Sequence, residues 1–229
     1  MLSYFYTVKL MLVSQIIESG YPHLSMLDKV TFALNLMQDY DVLHLPVIVD
    51  EKFAGIVSKD DLMDADETAM LASLQSQFIN ASVLPDEHFL AALKQASHFE
   101  ISVVPVVTKN GEVQGIVTQK NLVRSVAGFL NLEEPGGVIV IEMDKRNFSF
   151  GELCRLVETN DASITQLNTY TESATGLFIV TFKVNKIEIS DIIATLQRYE
   201  YIIRYYFGEE AYENELRENY DLLMTYLNI

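Results

Sequence analysis

Two short stretches set a hydroxyl and a polar side chain three positions apart where a helix should begin: Ser58-Lys59-Asp60-Asp61 and Thr118-Gln119-Lys120-Asn121. A hydroxyl just ahead of the first turn accepts an N–H that the helix cannot satisfy itself, and an acid or amide at the third position resembles a capping box. The same geometry supports chemistry of another kind. Open amides and the positive dipole end accept a phosphate. A carboxylate one turn in accepts both hydroxyls of a ribose, as acidic side chains do in dinucleotide sites. The two readings are compatible, and the residues alone leave both open. Lys59 and Lys120 lie in the first turns, either assisting such a ligand or solvated.

The elements that position these starts come as a duplicate. His44-Leu45-Pro46-Val47-Ile48-Val49-Asp50 and Phe53-Ala54-Gly55-Ile56-Val57-Ser58 in the first copy answer to Val103-Val104-Pro105-Val106-Val107-Thr108 and Val113-Gln114-Gly115-Ile116-Val117-Thr118 in the second. Pro46 and Pro105 lie 59 positions apart, and Gly55 and Gly115 lie 60, so the second hairpin has gained one residue. A fixed offset marks two copies of one supersecondary unit, here strand, hairpin, strand and helix. Ser14 corresponds to Ser73, Leu24 to Val83, and Ala33-Leu34 to Ala92-Leu93. Apolar spacing predicts a helix from Val13 to Ile17 and a better one from Asp28 to Tyr40, where Val30, Ala33, Leu34 and Met37 share a face. A helix from Ser58 is expected to run through the acidic patch Asp60, Asp61, Asp64, Asp66 and Glu67, and the second unit's helix spans Asp86 to His98.

Glu133-Glu134-Pro135-Gly136-Gly137 breaks this pattern and marks a domain boundary. Strands at 138–143, 163–171, 176–184 and 201–207 alternate with helices at 150–158 and 190–199, the second capped by Ser190. That order, βαββαβ, is the ferredoxin-like arrangement, a four-stranded antiparallel sheet with two helices on one face. Cys154 reads as a core residue beside Phe150, Leu153 and Val157. The last stretch, 209–229, reads as an acidic helix with one apolar stripe, Tyr212, Leu216, Tyr220, Leu223 and Leu227. The expected domains are therefore a lead at 1–12, repeats at 13–68 and 69–130, a second domain at 137–208 and the terminal helix.

Composition narrows the function. About half of the 229 residues are apolar, ample for packed cores, yet no unbroken apolar run approaches the ~20 residues a bilayer demands. The first twelve residues lack a basic start and a small-residue cleavage site, so no signal peptide is expected. One cysteine excludes an internal disulfide and suits a reducing cytoplasm. A formal charge of −16 argues against nucleic acid or an anionic membrane as partner. His23, His44, His88 and His98 show no metal-ligand spacing, Cys154 has no evident base, and no glycine loop cradles phosphate, so no catalysis, metal or required cofactor is expected.

The paired hairpins with their Gly-Ile-Val-Ser-x-x-Asp and Gly-Ile-Val-Thr-x-x-Asn endings resemble a tandem pair of CBS domains, a Bateman module, over roughly residues 10 to 128. The resemblance implies clefts between the repeats that bind adenosine compounds such as AMP, ATP or S-adenosylmethionine. It implies that Ser58 and Thr118 face phosphate and that Asp61 holds ribose, with Asn121 where the family has Asp. His44 then stands where some members carry a basic side chain toward phosphate, and Val103 holds the matching place in the second copy. Residues 137 to 208 resemble an ACT domain. The order CBS–CBS–ACT is similar to acetoin-utilisation B-like proteins, and the ending Tyr226-Leu227-Asn228-Ile229 is similar to that of their Bacteroidetes relatives. Asp144 to Gly151 spreads out the opening of the first helix that amino-acid-binding ACT domains keep compact, so this sheet reads as an association module.

The fold expected is thus α/β and α+β: two β-α-β-β-α CBS repeats, then a βαββαβ ACT-like domain and a C-terminal helix. The function expected is a cytoplasmic regulatory sensor that binds an adenosine-type ligand and passes the change to a homodimer interface or an unidentified downstream protein. The acidic patch suits adenosine, AMP or cationic S-adenosylmethionine better than ATP without metal. The competing expectation is an interaction protein that binds no ligand and dimerises through both domains.

Overall fold

In the first hairpin, β1 (His44–Val49) pairs antiparallel with β2 (Lys52–Ser58). Asp50 and Glu51 form its two-residue turn with φ of 49° and 65°, the left-handed pair whose twist matches the flanking strands. In the second, β3 (Val103–Val107) pairs with β4 (Val113–Thr118) across a longer turn at 108–112. Leu24 and Val83 add a short parallel bridge to Val47 and Val106, as the repeat offset requires. Helices α1 (Val30–Asp39) and α2 (Lys59–Met63) flank the first hairpin, and α3 (Phe89–His98) and α4 (Gln119–Phe129) the second. The structure, a computed structural model, describes residues 11–208. The chain divides into two compact units, one ending at Phe129 and the other beginning at Leu130.

The first unit departs from the linear repeat in one respect: each copy lends its leading segment to the other. Val13 and Ile16 are buried with Phe89, Ala92, Ile101 and Val117 of the second repeat. Leu71, with Leu74 and Phe78 against it, is buried with Leu24, Val30, Met37 and Leu62 of the first. Backbone hydrogen bonds hold both exchanges. Val13 and Ser14 donate to Glu87 and Pro85 at 2.9 Å, and Leu71 donates to Asp28 at 2.9 Å. Glu18 and Ile116 bond each other reciprocally, as do Ile56 and Ile79.

The helix expected through the acidic patch is shorter than its sequence suggested. It stops at Met63. Beyond it Thr68 donates both its backbone N–H and its hydroxyl to Asp66 Oδ1 at 2.8 Å, a local turn that competes with helix. The freed carbonyls of Glu67 and Ala69 then accept from Thr31 and Val30, capping α1 in place of a side chain. The leading helix is likewise reduced to one tight turn, Val13–Gln15.

The second unit contains β5 (Val138–Met143), α5 (Phe150–Glu158), β6 (Ile164–Thr171), β7 (Phe178–Val184), α6 (Ser190–Arg198) and β8 (Ile202–Phe207). The sheet runs β6-β7-β5-β8, all antiparallel, which is the ferredoxin-like order. Ile139, Ile141, Val180 and Phe182 pack against Leu153, Leu156, Val157, Ile192 and Leu196 of the helices. Cys154 is half-buried beside that core, partial desolvation and Glu158 push its thiol up, and Phe150 is exposed. Ser190 is the first helical residue of α6, and Ile189 stands at the cap without a side-chain bond. Arg204 donates to Glu142 at 2.5 Å and through both terminal nitrogens to Glu172 at 2.8 Å. These bonds, with one from Thr175, hold the Glu172 carboxyl down to about 2. The expected terminal helix at 209–229 lies outside the described residues, as does most of the 1–12 lead. Among the described residues no helix is long and apolar enough to cross a membrane.

Candidate functional site

Both capped helix starts form as the sequence predicts, each opposite the strand residue singled out with it. Cross-strand register pairs His44 with Ser58 and Val103 with Thr118. Ser58 Oγ accepts from the Asp61 N–H at 3.1 Å and donates to Asp61 Oδ2 at 2.6 Å. Hydroxyl and carboxylate are thereby held together, with Asp61 exposed. The Lys59 N–H donates to Leu43 O at 2.8 Å. With Asp61 N also engaged, the Asp60 amide is the remaining first-turn donor of α2. That is a thin anion site but a sound hydroxyl-binding one.

His44 joins the two repeats. Its Nδ1 lies 3.2 Å from the Ser102 N–H, which donates to it, and 3.0 Å from Ser102 Oγ. A ring nitrogen that accepts a backbone N–H is unprotonated, so this network assigns the neutral Nε2–H tautomer. Burial lowers the His44 pKa below 6.5, more than Asp60 and Asp61 raise it. The folded state therefore resists a proton that the unfolded chain takes up, and stability drops as pH falls through 6.5 toward the lower folded value. His44→Gln should be less stable than the parent at pH 7, and the gap should close between pH 7 and 5 in parallel melts.

The second start is arranged differently. Thr118 Oγ1 accepts from the Asn121 N–H at 3.3 Å, and Asn121 Nδ2 donates to Ile16 O at 2.9 Å. Asn121 thus pins the exchanged leading segment, which a carboxylate, an acceptor only, has no proton to do. The cavity beside it, bounded by Gln15, Ile16, Ile17, Arg124 and Ser125, is about 160 Å³. Val103 is buried and presents no side-chain polar group.

A separate cavity in this unit, about 520 Å³, is lined by none of Ser58, Asp61, Thr118, Asn121, His44 and Val103. It lies among Gly20, Tyr21, Phe32, Tyr40, Pro46 and Gly115. Burial, with Glu18 nearby, pushes the Tyr21 phenol up to about 12. The volume falls within the range of small-molecule pockets. Its signal in the sequence was a second stripe at Phe32, Leu36 and Tyr40, four apart along α1 and its C-cap, beside the Val30–Ala33–Met37 stripe that enters the core.

The family model for the CBS domain matches residues 13–68 and 79–128. A curated inosine-5'-monophosphate dehydrogenase from Korarchaeum cryptofilum is 33% identical over 95 residues, 42% of this chain and 20% of that enzyme, so the match spans about a fifth of the relative. Among solved structures, a CBS domain pair/ACT domain protein from Thermotoga maritima aligns at 20% identity over 52% of this chain and 99% of its own, with a TM-score of 0.48. A putative acetoin utilization protein from Vibrio cholerae aligns at 26% identity over 55% and 96%, with a TM-score of 0.43.

Proposed function

We propose that the first unit, in which the CBS-domain model matches residues 13–68 and 79–128, is a regulatory module for an adenosine-type ligand. The observation that carries this reading is the meeting of Ser58, Asp61 and His44 at one place, tied to the second repeat through Ser102. Asp61 takes the ribose hydroxyls, and the His44 Nε2–H and Lys59 complete the polar surround. With few open amides on α2 and with Asp60, Asp61 and Asp64 close by, adenosine, AMP or S-adenosylmethionine suits the site better than a triphosphate. Thr118 offers a second hydroxyl, but Asn121 is engaged by Ile16, so the second cleft has mainly a structural part. Binding across His44 and Ser102 favours one arrangement of the repeats over another. A homodimer completes the reading, with exposed apolar residues such as Met63 and Val123 giving it surface to bury.

Thermal melts with AMP, ATP and S-adenosylmethionine test it. One of them should raise Tm, by about 2.7 kcal/mol of added stability at a hundredfold excess over Kd. Asp61→Ala should remove most of that rise, and Asn121→Ala less. No rise with any of the three would sink the reading. So would a rise that survives Asp61→Ala but is lost in Tyr40→Ala, which would place the ligand in the aromatic-lined cavity.

A further inference from the structure

Lys183 lies on β7, an inner strand of the four-stranded sheet and one residue from its end, where a buried lysine is little expected. It is only 9% exposed. Its Nζ donates to the backbone oxygens of Asn131, at 2.7 Å, and Glu134, at 2.5 Å. These carbonyls belong to the 131–136 segment. A Cβ on Gly136 would collide with the Val184 carbonyl, so only glycine lets the chain run this close. Between this segment and the sheet is a cavity of about 330 Å³.

The walls of that cavity are unequal. Gln166 and Asn168 of β6 bring side-chain amides, Thr181 of β7 a hydroxyl and Lys183 an ammonium, while Glu134 also lines the cavity, its carboxylate accepting from Asn131 Nδ2. Leu132, Pro135 and Val138 supply an apolar side. The two carbonyls gain from a charged donor, but they do not neutralise it. Buried charges are ordinarily paired. Yet the ion pairs among the described residues involve Arg146 and Arg204, and none reaches Lys183. An ammonium has three protons, and the two carbonyls take two. One N–H and the positive charge remain facing a cavity whose amides can also donate.

We propose that this cavity binds a short-chain monocarboxylate, its oxygens held by Lys183, Gln166 and Asn168 and its carbon chain against Leu132, Pro135 and Val138. The charge is limited to one, because Glu134 lines the cavity, Glu133 precedes it in the chain and the protein carries a net −16. A dianion or phosphate would meet that field with one cation to oppose it. The site lies wholly within the second unit and does not depend on the nucleoside reading of the first.

Isothermal titration of the full chain with propionate, butyrate and pyruvate, and with butyramide as the uncharged match, is the test. At least one acid should saturate one site per chain at millimolar concentration, and butyramide should not. Lys183→Gln, which keeps a donor for the carbonyls, should weaken binding at least about tenfold, the effect of losing one charge-assisted hydrogen bond. Asn168→Leu should weaken it too while leaving the 131–136 segment in place. Asp61→Ala should leave it unchanged. The proposal is overturned if no acid saturates, if butyramide binds equally well, or if affinity survives Lys183→Gln. Should that variant fail to fold, unchanged affinity in Asn168→Leu overturns it instead.

Discussion

Gly115→Ala should destabilise the first unit by roughly 2–4 kcal/mol, combining overpacking with backbone strain. Gly115 has φ of +151°, a conformation that L side chains rarely adopt, and an added Cβ would lie 2.5 Å from Ile17 Cγ2 and 2.8 Å from Glu18 O. The second of these is backbone, already fixed by its hydrogen bond from Ile116, so it has no rotamer to yield. Tm of that unit should fall by on the order of 10 °C. Gly128→Ala is the internal contrast. Nothing lies within 4 Å of a Cβ there, and the residue is in α4, so the change should be neutral or stabilise by a few tenths of a kcal/mol. Calorimetry on the two variants checks both signs. Equal Tm values for Gly115→Ala and the parent would show that the leading segment does not lie against β4.

Phe89→Ala should cost about 3–5 kcal/mol, the usual penalty for deleting a fully buried ring. Phe89 has no exposed surface. Its ring packs 5.7 Å from that of Phe129 and 4.8 Å from that of His88. Its N–H donates to Met11 O at 2.8 Å, so it stands where the leading segment enters the second repeat. Because each unit has a separate core, the loss should appear as one calorimetric transition moving down while the other stays put. A uniform shift of both, or none, would contradict the division at Phe129 and Leu130.

The duplicated hairpins were legible because proline, glycine and the strand alternation repeat at one offset, and their turn chemistry follows from local residues. The ferredoxin-like order was legible for a different reason: Val138–Met143 and Phe178–Val184 are apolar runs of strand length. The exchanged segments were not. Val13, Ile16 and Leu71 have the same apolar character whichever core receives them, and spacing along the chain carries no address. The length of α2 was obscured because Asp64 and Asp66 suit a helix end and a turn alike. Asn121 read as a weakened ribose ligand, and its bond to Ile16, 105 positions away, is invisible to any local rule. Lys183 carries no signal in the sequence, since its partners are backbone carbonyls about fifty positions away.

The exchange of leading segments limits where the chain can be divided. Severed between the repeats, the second half would lose Val13 and Ile16 from its core and the first would lose Leu71. The place where the repeat begins in the sequence is therefore not a place where the structure can be cut.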